Sequence, residues 1–168
     1  MFPSAIVHIY EPVPAFFTEL QRNWAGTSAT LHNVGLGSSA RDAFINEKDL
    51  QGQATFVMGA PQTGAAGSSR MRILDGATEL ASFLHAGSPQ IDILHLNCEG
   101  CEWDLLKRLA SESLLHKIAV IQISFHNYGE HGIGKLLFEY CLIREALLVT
   151  HSPSVAVPFA WERWVRRN

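Results

Sequence analysis

Four polar residues stand where apolar runs end in this sequence: Glu11, Asn97, Glu99 and His126. In an open parallel sheet those strand ends are the places that meet a ligand. Glu11 closes the run A-I-V-H-I-Y at residues 5–10. A carboxylate there can accept hydrogen bonds from both hydroxyls of a nucleoside ribose, the use an acid at that place has in dinucleotide folds. An ordinary turn acid before Pro12 is the competing reading. His126 follows a β-branched run and suits a general base near neutral pH, since an unperturbed imidazole titrates at about 6.5. Eight histidines are present, so a structural role competes here too. Its place beside N-Y-G, and opposite Asn97 in the expected topology, sets His126 apart from the other seven.

The segment H-L-N-C-E-G-C-E-W at residues 95–103 is the most informative, with two acids, an amide and a glycine at a strand-to-helix turn. Glu99 and Glu102 both fall near a helix N-terminus, where negative charge is favoured, and for Glu102 a plain helix-start acid is the preferred reading. Cys98 and Cys101 have the Cys-x-x-Cys spacing that depresses a thiol pKa at a helix start. Flanking acids oppose that effect, so two small side chains packing beneath the turn are preferred to a thiol redox pair. A zinc site built from Cys98, Cys101, His95 and His126 needs two ligand pairs with motif spacing. Only one pair has it, and no metal is expected.

Strands and helices must hold these groups. Residues 5–10 read as a buried strand, followed by a helix with Pro14 in its first turn and Phe16, Phe17, Leu20 and Trp24 at helical spacing. Residues 30–34 form a second strand running into a Gly35-Leu36-Gly37 turn, and residues 54–58 a third, before a Gly/Ala/Ser-rich loop at 59–69. A short helix at 79–84, a strand at 91–96, a helix at 103–109 and a strand at 117–125 follow. Ile133, Leu136, Leu137, Tyr140 and Cys141 make a helical stripe, and residues 146–152 and 159–165 a terminal strand pair. The alternation argues for an α/β fold with a mostly parallel sheet covered on both faces, and the last two strands for an antiparallel edge hairpin. The glycine-rich run at 127–134, carrying His131, is the natural substrate loop.

Composition narrows the function classes. At 168 residues, 47% hydrophobic and 17% charged, the chain reads as one globular domain with a real core. A net charge of -3 gives no electrostatic reason to expect nucleic acid. The basic cluster Arg163, Arg166 and Arg167 reads as a solvated terminal face. No apolar run is long enough to span a membrane, and Met1-Phe2-Pro3-Ser4 does not open a signal peptide. With three cysteines, no secreted disulfide framework is read, and a reducing, cytoplasmic setting is the default. The abrupt start leaves room for an upstream targeting segment.

The run I-D-I-L-H-L-N-C-E-G-C-E-W resembles the signature of the FkbM methyltransferase family, a buried strand ending in Lys-Ile-Asp-Val-Glu-Gly-Ala-Glu. Upstream, V-H-I-Y-E-P-V-P-A-F-F-T-E-L resembles the family's second strand and Pro-containing helix; downstream, V-I-Q-I-S-F-H resembles its fifth strand. His95, Asn97, Cys98 and Cys101 stand where the family has lysine, aspartate, valine and alanine. The resemblance implies a Rossmann-like methyltransferase sheet and S-adenosylmethionine as cofactor. It also implies O-methylation of a small-molecule or glycan hydroxyl. Glu11 would take the ribose, Val34, Gly35 and Leu36 the adenine, Asn97 the methyl-donor end, and Glu99 or His126 the acceptor. The family's first strand and Gly-x-Gly-like loop have no counterpart in these residues, since Gly35 and Gly37 follow a later strand. Cofactor binding is therefore expected to be weak or absent, with the runs at 5–10 and 91–96 either pairing directly or exposing edges that favour aggregation or a homodimer. A degenerate, non-catalytic interaction domain is the alternative.

Overall fold

The computed structural model describes residues 5–46, 68–87, 89–126 and 133–167. The elements run β1 (His8–Tyr10), α1 (Pro14–Asn23), β2 (Thr30–His32), β3 (Gly35–Gly37), β4 (Arg41–Asn46), β5 (Ser68–Asp75) and α2 (Gly76–His85). They continue with β6 (Ile91–Leu96), α3 (Cys101–Ser111), β7 (Ile118–Ser124), α4 (Ile133–Thr150), β8 (His151–Val157) and β9 (Trp161–Arg166).

The described strands form three sheets: β1-β2, β3-β5-β4 and β6-β7-β9-β8. Pairs β1/β2, β3/β5 and β6/β7 are parallel, whereas β4/β5, β7/β9 and β8/β9 are antiparallel. The expected single, mostly parallel sheet is thus found as separate pieces of mixed sense. The terminal hairpin is present, with one difference. The last strand, β9, lies inside the sheet beside β7, and β8 forms the edge.

The main core lies between the four-stranded sheet and α3 and α4. Leu105, Leu106 and Leu109 of α3 meet Ile118, Ile121 and Ile123 of β7, Ile143 and Leu147 of α4, and Trp164 of β9. Each such side chain contributes about 1.5–3 kcal/mol by leaving water. Within β7 the fully buried Ile121 and Ile123 alternate with less buried neighbours, the period-2 pattern of a strand packed mainly on one face. α2 bridges the pieces. The Asp75 carboxylate caps its N-terminus by accepting the N–H groups of Ala77 and Thr78, and also takes Arg108 of α3 at 3.1 Å. Gly76 lets α3 come close: a Cβ there would sit 2.3 Å from Leu105 Cδ1.

Three element assignments are corrected. Residues 146–150 continue α4, and the strand expected at 146–152 begins only at His151. Leu147 is fully buried in the core, and no Gly or Pro stands between Gly134 in the first turn of α4 and Pro153. Gly35-Leu36-Gly37 is the strand β3, paired in register with Ile73, Leu74 and Asp75, and not a turn. Gly35 is glycine because Ile73 and Pro12 lie directly over it: an added Cβ would be 2.7 Å from Ile73 Cδ1 and 3.2 Å from Pro12 Cγ. The first strand is shorter than expected, covering His8–Tyr10. The strand expected at 54–58 and most of the loop at 59–69 lie outside the described residues, as do residues 127–132 of the substrate loop. No helix of the described residues is long and apolar enough to cross a membrane.

Candidate active site

β6 and α3 are joined by the turn Asn97–Gly100, and the geometry of that turn organises the site. Glu99 adopts φ 55° and Gly100 φ 108°, both left-handed. For a glutamate that conformation costs on the order of 1 kcal/mol or more, so its surroundings must enforce it. Two sets of contacts do so. The Glu102 carboxylate, fully buried in the second position of α3, accepts the backbone N–H of Cys98 and of Gly100, each at 2.8 Å. Cys98 and Cys101 are joined by a disulfide that closes a ring around Glu99 and Gly100. This corrects the expectation of two unlinked packing side chains. A ring this short constrains the unfolded chain by only about 2 kcal/mol in the chain-entropy model, so its main consequence is local.

His126 sits against this turn. Its Nδ1 is 2.9 Å from Glu102 Oε1, and since a carboxylate only accepts, Nδ1 carries the proton and donates it. Its Nε2 faces Glu99 Oε1 at 3.6 Å, an ion-pair distance too long for a hydrogen bond. The backbone carbonyl of His126 accepts Trp103 Nε1–H at 2.8 Å. The Trp103 ring packs on Phe125, and Phe125 packs edge-on against Tyr140 of α4. A buried carboxylate that fixes one ring nitrogen is the arrangement that orients a histidine base.

Glu102 was read from the sequence as a helix-start acid, and it is one, in the second position of α3. Its hold on His126 was not legible, because residues 24 apart meet only once β6 and β7 pair. Asn97 stands exposed at the end of β6 and makes no side-chain hydrogen bond among the described residues.

Glu11 lies at the end of β1. Its Oε1 accepts the N–H of Val13 at 2.8 Å, and its backbone is held by His32 and Asn33. Burial pushes its carboxyl up from the usual range, and the Val13 N–H pulls it partly back. One residue earlier, Tyr10 donates to Glu79 of α2 at 2.8 Å and stacks on His32. Burial, then that bond, raises the phenol well above its ordinary value. Val34 is half-buried, and Leu36 packs against the main core. Glu99, Glu102 and His126 are therefore in mutual reach, whereas Glu11, Val34, Gly35 and Leu36 belong to the neighbouring β1 and β3 pieces, tied to α3 through α2. No group of three or more His, Cys, Asp or Glu among the described residues has the arrangement of a metal site.

The model of the methyltransferase FkbM domain matches residues 1–146, most of the chain and every candidate site residue. No curated protein and no solved structure matches. With strand, turn, helix and buried glutamate all inside the matched region, this chain belongs to the FkbM methyltransferase family.

Proposed function

We propose that this domain transfers a methyl group from S-adenosylmethionine to a hydroxyl of a small molecule or glycan. The observation that carries the reading is the Glu102–His126–Glu99 cluster at the carboxyl ends of β6 and β7, where ligands of parallel sheets bind. The cofactor supplies an electrophilic methyl group when bound. The chain's part is to align the acceptor and to take its proton. His126 Nε2 accepts the hydroxyl proton as the oxygen attacks, and Glu102 and Glu99 stabilise the imidazolium that forms. Alignment supplies most of the rate, with the base contributing about 10²–10⁴-fold.

The residues present fit the nucleoside end of that cofactor. Glu11 is half-buried at a strand end, with one oxygen on Val13 and the other bonded to no described residue, which suits a ribose hydroxyl. Asn97 would face the methyl-donor end, and Val34, Gly35 and Leu36 the adenine.

A raised folded pKa means that the neutral Glu11 is favoured on folding. The stability it contributes is present below its unfolded value and lost as pH rises through the folded one. Glu11→Gln is therefore expected to leave the domain as stable or slightly more stable near neutral pH, while weakening the cofactor. A charge-assisted bond of about 1.5–3 kcal/mol corresponds to roughly ten- to hundredfold in affinity. Saturation-transfer NMR with S-adenosylmethionine detects weak binding and checks this. Equal signal from both proteins would remove Glu11 from the site.

One set of observations favours the second reading, an interaction domain that has lost catalysis. Among the described residues β6 pairs only with β7 and β1 only with β2, and Ile93 of β6 is 61% exposed. Asn97 also lacks the family's charge. No saturation transfer to the folded wild-type domain would select that reading.

A further inference from the structure

The disulfide at Cys98 and Cys101 lies outside everything the methyl-transfer reading requires. We propose that this pair is a reversible redox site, opened by a dithiol reductant, that sets whether Glu99 is held against His126. The ring it closes contains Glu99 and Gly100, the two left-handed residues of the turn. Glutamate does not favour that conformation, and the crosslink ties together the residues on either side of it. The Glu102 carboxylate holds the N–H groups of Cys98 and Gly100 independently of the sulfurs, and it also holds His126 Nδ1. Opening the disulfide therefore leaves the Glu102 clamp in place and removes the second of the two constraints on Glu99. Its carboxylate then withdraws from the 3.6 Å contact with Nε2 as the backbone relaxes.

Both cysteines are partly exposed, so a small or protein-borne dithiol can reach them. One thiolate of the reductant attacks a cystine sulfur, and its second thiol resolves the mixed disulfide. The cystine takes up two electrons and two protons and becomes two thiols, and the reductant leaves as its own disulfide. In a reducing compartment the site rests open; in an oxidising one it rests closed. The inference uses the methyl-transfer reading only to say what Glu99 acts on.

The test uses the full chain carrying Cys141→Ser, which removes the exposed third thiol, and needs no cofactor. Backbone and imidazole NMR spectra are compared in the air-oxidised state, in excess dithiothreitol and after reoxidation. Glu99 and His126 resonances should move together and return. Amide protection at Cys98 and Gly100, whose N–H groups Glu102 holds, should persist on reduction. A Cys98→Ser/Cys101→Ser variant should show the reduced spectrum in either buffer, with Cys98→Val/Cys101→Ala as the alternative where serine impairs folding. Identical spectra in the two redox states, or loss of the whole fold on reduction, would overturn the proposal. Failure of cofactor binding in the same sample would touch only the methyl-transfer reading.

Discussion

Replacing Glu102 with alanine is expected to destabilise the domain by about 3–5 kcal/mol, the usual cost of removing one partner from a buried charged network. The change strands the N–H groups of Cys98 and Gly100 and leaves His126 Nδ1 without its acceptor. An unsatisfied buried donor costs about 1–3 kcal/mol, so two of them account for most of the loss. Denaturant unfolding reads the stability directly. In the proposed methyl transfer, activity should fall further than stability, because His126 loses its fixed tautomer as well as its orientation. Glu102→Gln keeps the shape and one acceptor, so it should recover part of the stability and little of the base function. A fully stable Glu102→Ala protein would mean the turn is held by other groups.

An effect of similar size, about 3–5 kcal/mol, is expected for Glu162→Ala on the other side of the core. Glu162 is fully buried and accepts Tyr140 O–H, Trp164 Nε1–H at 2.7 Å and Arg144 at 3.3 Å. The Arg144 guanidinium also lies over the Tyr140 and Trp164 rings. This network fixes α4 to β9, and Tyr140 passes the constraint through Phe125 and Trp103 to the backbone of His126. Thermal unfolding should show the loss, and Tyr140→Phe, which removes one of the three donors, should cost about 1 kcal/mol. A larger effect of Tyr140→Phe than of Glu162→Ala would contradict this ordering.

The parts of the fold that were legible in the sequence are those where burial and periodicity agree. The β-branched run around Ile121 and the apolar run around Ile93 became β7 and β6, paired in parallel as the alternation implied. Three signals were harder to read. Leu147, Leu148 and Val149 look like a strand by composition, but they continue α4, where Leu147 is buried in the core. The run S-S-R-M-R-I-L-D did carry a strand pattern, with buried Met71 and Ile73 alternating with exposed Arg70 and Arg72, and it was passed over. Gly35 was read as part of a turn, whereas it lies in β3 and is glycine to admit Ile73 and Pro12. In the site, the turn Asn97–Gly100 and His126 were legible as strand ends. The Glu102–His126 contact and the disulfide depend on tertiary approach, and spacing alone does not fix them.

The most direct test of the central claim is a map of where S-adenosylmethionine meets the domain, read from backbone amide shifts during titration. The account predicts perturbations at Glu11, Leu36, Asn97 and Glu99, at the carboxyl ends of the parallel strands, that vanish in Glu11→Ala while its fold remains intact. Shifts confined to the groove between α2 and α3, lined by Ala81, His85, Arg108 and Glu112, or an unchanged spectrum from a folded domain at saturating cofactor, would contradict it.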